Sequence, residues 1–275
     1  MPWRSLSATE AKVVLALEEA RQSDVSLDDV ERLAGVRRGF ARKLAHGLLA
    51  KGWFERLGGG RYLLNATARG PDAVPETDPL RLGSRLASPY YFGYATAAEL
   101  WGLLLRPGRT YYIVAPRRPT VRIIGPSTFR LVHAEPERIF GLTTVARRGE
   151  RLRVSDLERT VLDCLERPDL AGGFPGAVGI LSRASGRLSE RRLAAYLRRW
   201  GNESLGRRLG YLLETLARGS PTRRKVSVSS SVSAPTPWVP LAPASRYGRT
   251  GTRDGRWHVV RNLPDTELLA EVERR

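Results

Sequence analysis

The residue types that carry acid–base, nucleophilic or metal chemistry are few in this chain and widely separated. The three histidines, His46, His133 and His258, show no metal-ligand spacing such as HxxxH. The single cysteine, Cys164, falls in an apolar helical segment, where we expect a small core residue rather than a nucleophile. The sequence contains neither a GxxxxGK(S/T) phosphate loop nor a GxSxG nucleophile motif.

The acidic residues do not predict a hydrolytic site either. A metal-dependent nuclease would use an acidic cluster ending in Asp/Glu-x-Lys, and the sole match is Glu10-Ala11-Lys12, which we interpret as a solvated helix face. Asp156, Glu158 and Asp163 lie close together in sequence. Helix capping and surface pairing with Arg159 account for all three. We therefore predict no enzyme, no cofactor and no metal site.

Basic side chains are the strongest chemical signal. The 46 Lys+Arg against 28 Asp+Glu give a net charge of +18 and a sequence pI near 11.0. Such a field favours polyanions, above all nucleic acid, although an arginine-rich composition also arises in GC-rich genomes. The local distribution favours the first interpretation. Residues 1–36 carry four basic and seven acidic side chains, whereas residues 37–69 carry eight basic and one acidic.

The sign of the charge changes at the start of the stretch from Val36 to Asn65. Phe40, Leu44 and Leu48 predict one apolar stripe along a basic helix, which Gly52 ends. The runs WFERL and RYLL predict two short strands, with the turn at Gly58–Gly60. A basic helix followed by a glycine-tipped hairpin is typical of the second half of a winged helix-turn-helix.

In such a domain the basic side chains of the helix and hairpin contact DNA. We expect Arg37 and Arg38 at the N-terminal end of the helix, where base edges are met in the major groove, with Arg42 and Lys43 contacting DNA one turn later. Arginine is the expected base reader, because it bridges O6 and N7 of guanine. Phosphate contacts are predicted for Lys51, Arg56 and Arg61. The alternative is a solvated face on a winged helix that binds protein.

The preceding residues supply the rest of this domain. Ser7 and Glu10 match a capping box for a first helix, and Ser26-Leu27-Asp28-Asp29 opens a second, shorter helix. Gly35 closes the second helix and permits the tight turn into the basic one. We place the winged helix-turn-helix at residues 1–68 and a proline-rich linker at 69–89, with a short helix around Pro79–Leu86.

Residues 90–275 predict a second, α+β domain. A helix is expected at 95–105, followed by a small, mostly antiparallel sheet and, from Ser155, a helical C-terminal half. The predicted strands are 110–116, 120–125, 129–134, 141–148 and 151–154. The Ser/Pro-rich segment 219–243 is expected to be an extended arm or a partly disordered stretch, before one last strand at 255–262 and a helix at 265–275.

The helices of the C-terminal half carry paired arginines. Three interpretations stay open for these side chains: a second nucleic-acid surface, a docking surface for an acidic partner, or solvated helix faces. The residues concerned are Arg191, Arg192, Arg198, Arg199, Arg207 and Arg208.

The sequence carries no signal for a membrane location. No apolar run is long enough to span a bilayer, and the N-terminal MPWRSLSATE has no apolar core of a signal peptide. One cysteine excludes an internal disulfide framework. We expect a cytoplasmic protein.

Several strings of the chain resemble AbiEi-type antitoxins, the repressors of type IV toxin–antitoxin systems linked to phage abortive infection. The most specific is VSDLERTVLDCLERPDLAGG (154–173), supported by YYFGYATAAELWGLL (90–104) and LGYLLE (209–214). The resemblance covers nearly the whole chain and is weakest at 219–255. None of these strings contains a catalytic signature.

The resemblance implies two activities. The N-terminal domain would repress its own operon by binding promoter inverted repeats in double-stranded DNA, as a monomer or a pair assembled on the DNA. The C-terminal domain would antagonise a cognate nucleotidyltransferase-like toxin without forming a stable complex. Two other hypotheses remain: a winged-helix transcription factor whose second domain senses a ligand or partner, and a repair-like nuclease, against which the missing Asp/Glu-x-Lys argues.

Overall fold

The chain is α+β and divides into two compact units. The computed structural model describes residues 5–20, 22–58, 60–65, 78–124, 126–147, 150–218 and 237–272. Unit 1 comprises Met1–Ser88 with Ile124–Pro126, and unit 2 comprises Pro89–Ile123 with Ser127–Arg275. The units therefore divide at Ser88, near the end of the segment predicted as a linker.

Unit 1 has the element order helix, strand, helix, helix, strand, strand, followed by one further helix. Its elements are α1 (Ala8–Glu19), β1 (Asp24–Ser26), α2 (Leu27–Ala34), α3 (Arg38–Ala50), β2 (Phe54–Gly58), β3 (Arg61–Leu64) and α4 (Pro79–Arg85).

Capping boxes begin the first two helices, as the sequence predicts. The Ser7 hydroxyl accepts from the backbone N–H of Glu10, and the Glu10 carboxylate accepts from the N–H of Ser7 at 2.7 Å. Ser26 and Asp29 repeat the exchange at α2. Burial alone would raise the pKa of Asp29, but the hydrogen bonds from Ser26 lower it to about 2. Both helix starts are thus set by local sequence.

Helix α3 packs on α1 and α2 through a small-residue face. Gly35, in the left-handed region at φ +71°, ends α2 and turns the chain into α3. The buried side chains of α3 are Ala41, Leu44, Ala45 and Leu48. Phe40, which the sequence places on the same apolar stripe, is 52% exposed. The prediction was wrong at this position because the core meets the helix along Ala41 and Ala45.

The sheet of unit 1 is three-stranded and antiparallel in the order β1-β3-β2. Within the β2–β3 hairpin, Phe54 pairs with Leu64 and Arg56 with Tyr62. Gly58 ends β2 instead of belonging to the predicted turn, with a register irregularity between Arg56 and Gly58. Gly60 turns the chain at φ +75°, and the intervening Gly59 lies outside the described residues.

Unit 2 combines a six-stranded sheet with a helical half. Its strands are β4 (Tyr91–Phe92), β5 (Thr110–Ala115), β6 (Thr120–Ile124), β7 (Ser127–His133), β8 (Leu142–Arg147), β9 (Glu150–Ser155), β10 (Val239–Pro240), β11 (Thr252–Asp254) and β12 (Val259–Arg261). Its helices are α5 (Tyr94–Leu100), α6 (Leu157–Glu166), α7 (Gly173–Ala184), α8 (Glu190–Trp200), α9 (Glu203–Arg218), α10 (Ala244–Tyr247) and α11 (Asp265–Leu268).

The larger sheet has the order β6-β7-β5-β4-β9-β8 and is mixed. β5 runs parallel to β7 and β4 parallel to β9, whereas β4–β5 and β8–β9 are antiparallel. The prediction of a mostly antiparallel sheet was therefore wrong. Short apolar runs predict that a strand exists but do not encode the direction of its neighbour, and here β7 joins the sheet beside β5 with β6 at the edge.

The helical half encloses one apolar core around α6. Leu162, Leu165, Ile180, Leu209 and Leu212 are among its fully or almost fully buried members. The preceding helix, α5, ends at Leu100, several residues before the predicted limit, because Gly102 reverses the chain at φ +70°.

The last elements of unit 2 form a second small sheet. β10 pairs parallel to β12, and β11 pairs antiparallel to β12. Of the predicted arm, residues 219–236 lie outside the described residues, but Val239, Leu241 and Ala242 are buried. Its final part is thus a packed strand. Helix α11 has four residues, shorter than predicted. No helix within the described ranges is long and apolar enough to cross a membrane.

Candidate nucleic-acid interface and the buried centre of unit 2

Unit 1 presents four exposed cationic side chains that have no acidic partner among the described residues, three at the start of α3 and one on β2. Arg37 occupies the N-cap position without capping the helix through its side chain, and Arg42 and Lys43 follow on the exposed side. Arg56 is exposed on β2. Within the described part of the chain, none of the four forms an ion pair or a side-chain hydrogen bond. We call Arg37, Arg42, Lys43 and Arg56 the open cations of unit 1.

The electrostatics of the helix start add to this charge. The first turn of α3 contains no acidic residue, so the partial positive charge of its free backbone N–H groups is not compensated there. Anions are favoured at such an end, and the nearby cations strengthen that preference.

The other three predicted DNA contacts pair with carboxylates inside unit 1. Arg38 contacts Asp28 and lies 3.6 Å from Glu31, both on α2. Arg61 contacts Asp24 through two nitrogens, with Nε 3.1 Å from Oδ1. These pairs are exposed on the arginine side, so solvent screens the attraction between the charges and the pairs contribute little to stability.

The pair formed by Lys51 is of a different kind. Its Nζ lies 2.6 Å from Oε2 of Glu10 on α1, and the Glu10 side chain is only 7% exposed. Burial would raise the pKa of Glu10, but the hydrogen bonds from Lys51 and Ser7 hold it below its usual range. The position of Lys51 is therefore that of a structural link between α3 and α1.

The paired arginines of α8 and α9 differ in their exposure and in whether they have partners within unit 2. Arg191 and Arg198 are exposed and have no ion pair within the described residues. Arg192 lies 3.1 Å from the buried Glu158, and the Arg199 guanidinium stacks 4.2 Å from the ring centroid of Phe140. These four side chains stand on α8.

The two arginines on α9 hold the returning chain. Arg207 is buried and donates to the carbonyl of Pro237 at 2.8 Å, while Arg208 donates to the carbonyl of Pro240 at 3.0 Å. Desolvation lowers the pKa of Arg208. The prediction that these residues belong to a positive outer face was wrong, because the segment after residue 236 packs on that side of α9.

A buried polar centre lies on α6, within the string 154–173. Arg159 is 3% exposed, and its Nε donates to Oδ1 of Asp163 at 3.0 Å. Its other nitrogens donate to the carbonyl of Arg138 at 2.8 Å and the hydroxyl of Tyr91 at 3.2 Å. The pairing of Arg159 with a carboxylate was predicted, but at the surface; the observed pair is internal.

Aromatic rings enclose the Arg159 guanidinium. Its Cζ lies 4.1 Å from the ring centroid of Trp200 and 4.5 Å from that of Phe140. A guanidinium stacked on ring faces gains cation–π attraction, which grows when the group is desolvated. The centre thus joins α6, α8 and the loop before β8 through one charged side chain.

Two acidic side chains at α6, Asp156 and Asp163, differ in how many hydrogen bonds they accept. Asp156 caps the helix by accepting from the N–H of Arg159, one residue after the Ser155 that a Ser155–Glu158 capping box would use, and it also accepts from Tyr196 Oη at 2.6 Å. Oδ2 of Asp163 is buried with no hydrogen-bond partner among the described residues. Burial raises the pKa of Asp163 to about 7 even though Arg159 stabilises its charged form.

Burial also affects the ionisation of Cys164 on α6 and Tyr91 on β4. Burial raises the pKa of the Cys164 thiol and of the Tyr91 phenol, so both are held in their neutral forms. Among the residues described, no group of three or more His, Cys, Asp or Glu side chains could hold a metal ion. The centre is arranged to fix the packing of unit 2.

Sequence inspection missed the internal role of Arg159 and Arg207. Both occur at helical positions neighbouring apolar residues, Val161 and Leu209, which become fully buried. An arginine within an apolar helical segment was the available signal, but several of the partners, such as the carbonyls of Arg138 and Pro237, are brought close only by the tertiary fold.

The α+β fold of two units has a counterpart among solved structures. The crystal structure of the Rv2827c protein from Mycobacterium tuberculosis matches with a TM-score of 0.66 and 21% sequence identity, over 98% of this chain and 97% of that chain. At this identity the similarity shows the fold alone. No protein-family model matches this chain, and no curated protein matches it.

Proposed function

We propose that this chain is a DNA-binding repressor with antitoxin activity, and that unit 1 is its winged helix-turn-helix. The observation that carries the proposal is the set of open cations of unit 1, three of which lie on the first two turns of one helix. Cations without internal partners face solvent at full charge, and a group of them beside a hairpin would favour the negatively charged backbone of a duplex.

In this proposal α3 enters the major groove and the β2–β3 hairpin follows the backbone. Arg37 and Arg42 are the base readers, since arginine bridges O6 and N7 of guanine. Lys43 and Arg56 contact phosphates. Arg38 and Arg61, whose guanidinium groups are exposed, exchange their carboxylate partners for phosphate on binding, whereas Lys51 keeps its structural link to Glu10.

The antitoxin activity rests on the resemblance to AbiEi-type proteins. Its strongest string, residues 154–173, contains α6 and the buried centre around Arg159. We propose that unit 2 antagonises a nucleotidyltransferase-like toxin without a stable complex. The exposed side chains Arg191 and Arg198 are the part of the predicted arginine surface that stays open to such a partner or to nucleic acid.

The DNA-binding part is tested with the full-length protein and the duplex upstream of its own gene. We expect saturable binding whose logarithmic dependence on salt concentration is steep. Lys43→Ala should weaken binding and reduce the slope by about one unit. Lys12→Ala is the matched control, because Lys12 is exposed on α1 of the same unit. Equal binding by both variants, or no binding by the parent, would refute the assignment.

To test the proposed antitoxin activity, a variant is needed that loses DNA binding but keeps unit 2 intact. The triple variant Arg37→Ala, Arg42→Ala, Lys43→Ala should lose promoter repression yet still rescue cells that express the toxin encoded by the adjacent gene. If the parent protein represses the promoter but does not rescue cells that express the toxin, the transcription factor hypothesis is favoured over this proposal. DNA cleavage by the purified protein with Mg²⁺ would instead support a nuclease.

A further inference from the structure

One large apolar side chain, Phe40, is exposed to solvent at the start of α3, close in sequence to the open cations of unit 1. Phe40 is 52% exposed although α3 has a buried face available one residue away, at Ala41. A phenyl ring that is half exposed gains only part of the stabilisation that full burial in the core would give. Arg37, Arg38, Gly39 and Phe40 form four consecutive exposed residues at the start of α3.

The residues around the Phe40 ring indicate what kind of molecule could bind over it. Lys43 lies three residues after Phe40, on the neighbouring part of the helix surface, and Arg37 lies one turn before it. Both are open cations. Gly39, next to the ring, has nothing within 4 Å of the place where a Cβ would stand, so the backbone there is uncovered. The covering surface must be negatively charged and able to approach closely.

Duplex DNA meets both conditions and offers one apolar group in its major groove. That group is the C5-methyl of thymine, which proteins contact through apolar side chains, phenylalanine included. We infer that Phe40 is a specificity-determining residue that contacts thymine methyl groups while Arg37 and Lys43 hold the flanking backbone and bases. This inference rests on the proposed DNA-binding function and adds a base preference to it.

The experiment replaces thymine by uracil, which differs only by the missing methyl group. A tightly bound duplex is first selected from random sequences with the full-length protein, and each thymine is then replaced in turn. We expect one or two positions at which uracil weakens binding about fourfold per methyl lost. The variant Phe40→Ala should bind the thymine duplex more weakly and should not distinguish it from the uracil duplex.

Leu15→Ala is the matched control. Leu15 is 59% exposed on α1, so its removal also deletes an exposed apolar side chain from unit 1. This variant should keep both the affinity and the full uracil effect of the parent. Circular dichroism should show the same folded signal for both variants, because neither side chain is in the core.

The outcomes separate this inference from the proposed function. A parent protein that binds DNA, loses affinity in Lys43→Ala and ignores uracil at every position would overturn only the role of Phe40. The same holds if Phe40→Ala retains the full uracil effect. A parent protein that binds no duplex DNA would overturn both the inference and the function beneath it.

Discussion

The guanidinium carbon of Arg159 lies over the indole of Trp200, 4.1 Å from its ring centroid, and both residues are at least 96% buried. The same guanidinium is bonded to Asp163 one turn along α6. A buried cation is tolerated only when its hydrogen bonds and counter-charge are supplied, and this centre supplies them from three segments of unit 2: α6, β4 and the turn before β8.

Removing the cation should destabilise unit 2 in a pH-dependent manner. Arg159→Met leaves the ionised Asp163 without its counter-charge, and at pH 8 we expect a loss of about 3–5 kcal/mol in the free energy of unfolding. At pH 5 the loss should be smaller, because Asp163 is then protonated and needs no cation. Chemical denaturation of the full-length protein at both pH values measures this. Arg191→Met, at an exposed site on α8, should change stability by less than about 0.5 kcal/mol at either pH.

The pH dependence of the parent protein should carry the signature of Asp163. Its pKa is about 7 in the folded chain, above its ordinary value of 3.8, so the folded state binds the proton more tightly. The stabilising contribution is complete below pH 4 and declines as the pH rises to about 7. Asp163→Asn should remove this part of the slope. Parallel stability curves for the two proteins between pH 4 and 7 would contradict the assignment.

Lys51 should affect stability rather than DNA affinity. Lys51→Ala leaves the nearly buried Glu10 without its partner, and we expect a cost of about 1–3 kcal/mol. Because the folded pKa of Glu10 is lowered, the stability from this pair is present above its ordinary pKa and is lost as the pH falls through the folded value. The salt dependence of DNA binding should stay as in the parent. If Lys51→Ala instead reduces the salt dependence of DNA binding as Lys43→Ala does, Lys51 contacts phosphate after all.

Gly39 should show opposite effects on stability and binding. Its helical position has open space for a Cβ, so Gly39→Ala should stabilise unit 1 by up to about 1 kcal/mol. If α3 approaches the groove floor there, the added methyl group should weaken operator binding. Thermal unfolding and DNA titration of the same preparation test both effects. Unchanged affinity would mean that the helix start stays away from the bases.

Arg207 should be needed for the packing of the returning chain. Arg207→Ala removes a hydrogen bond to the carbonyl of Pro237 and opens space beneath a buried segment, at an expected cost of about 1–3 kcal/mol. Arg198→Ala deletes an exposed arginine from α8 and serves as the comparison. Equal stability of the two variants would show that Arg207 is dispensable.

Local features of both units were predictable to within a few residues. The capping boxes at Ser7 and Ser26, the turn at Gly35 and the hairpin around Gly60 each depend on neighbours within four positions in the sequence. Strand positions in unit 2 were predictable from apolar runs, but their directions were not, since parallel pairing of β5 with β7 depends on the path of the chain between them.

The amino-acid sequence by itself determined the helix starts, the hairpin and the sharp rise in positive charge after Val36, because these follow from short-range chemistry. Only the tertiary structure decided which cations are free. Lys51 meets a glutamate 41 residues away, and Arg207 meets a carbonyl 30 residues away, whereas Arg42 and Lys43 meet none within the described residues. Charge is a property of each residue, but its availability depends on partners that folding brings together over long distances.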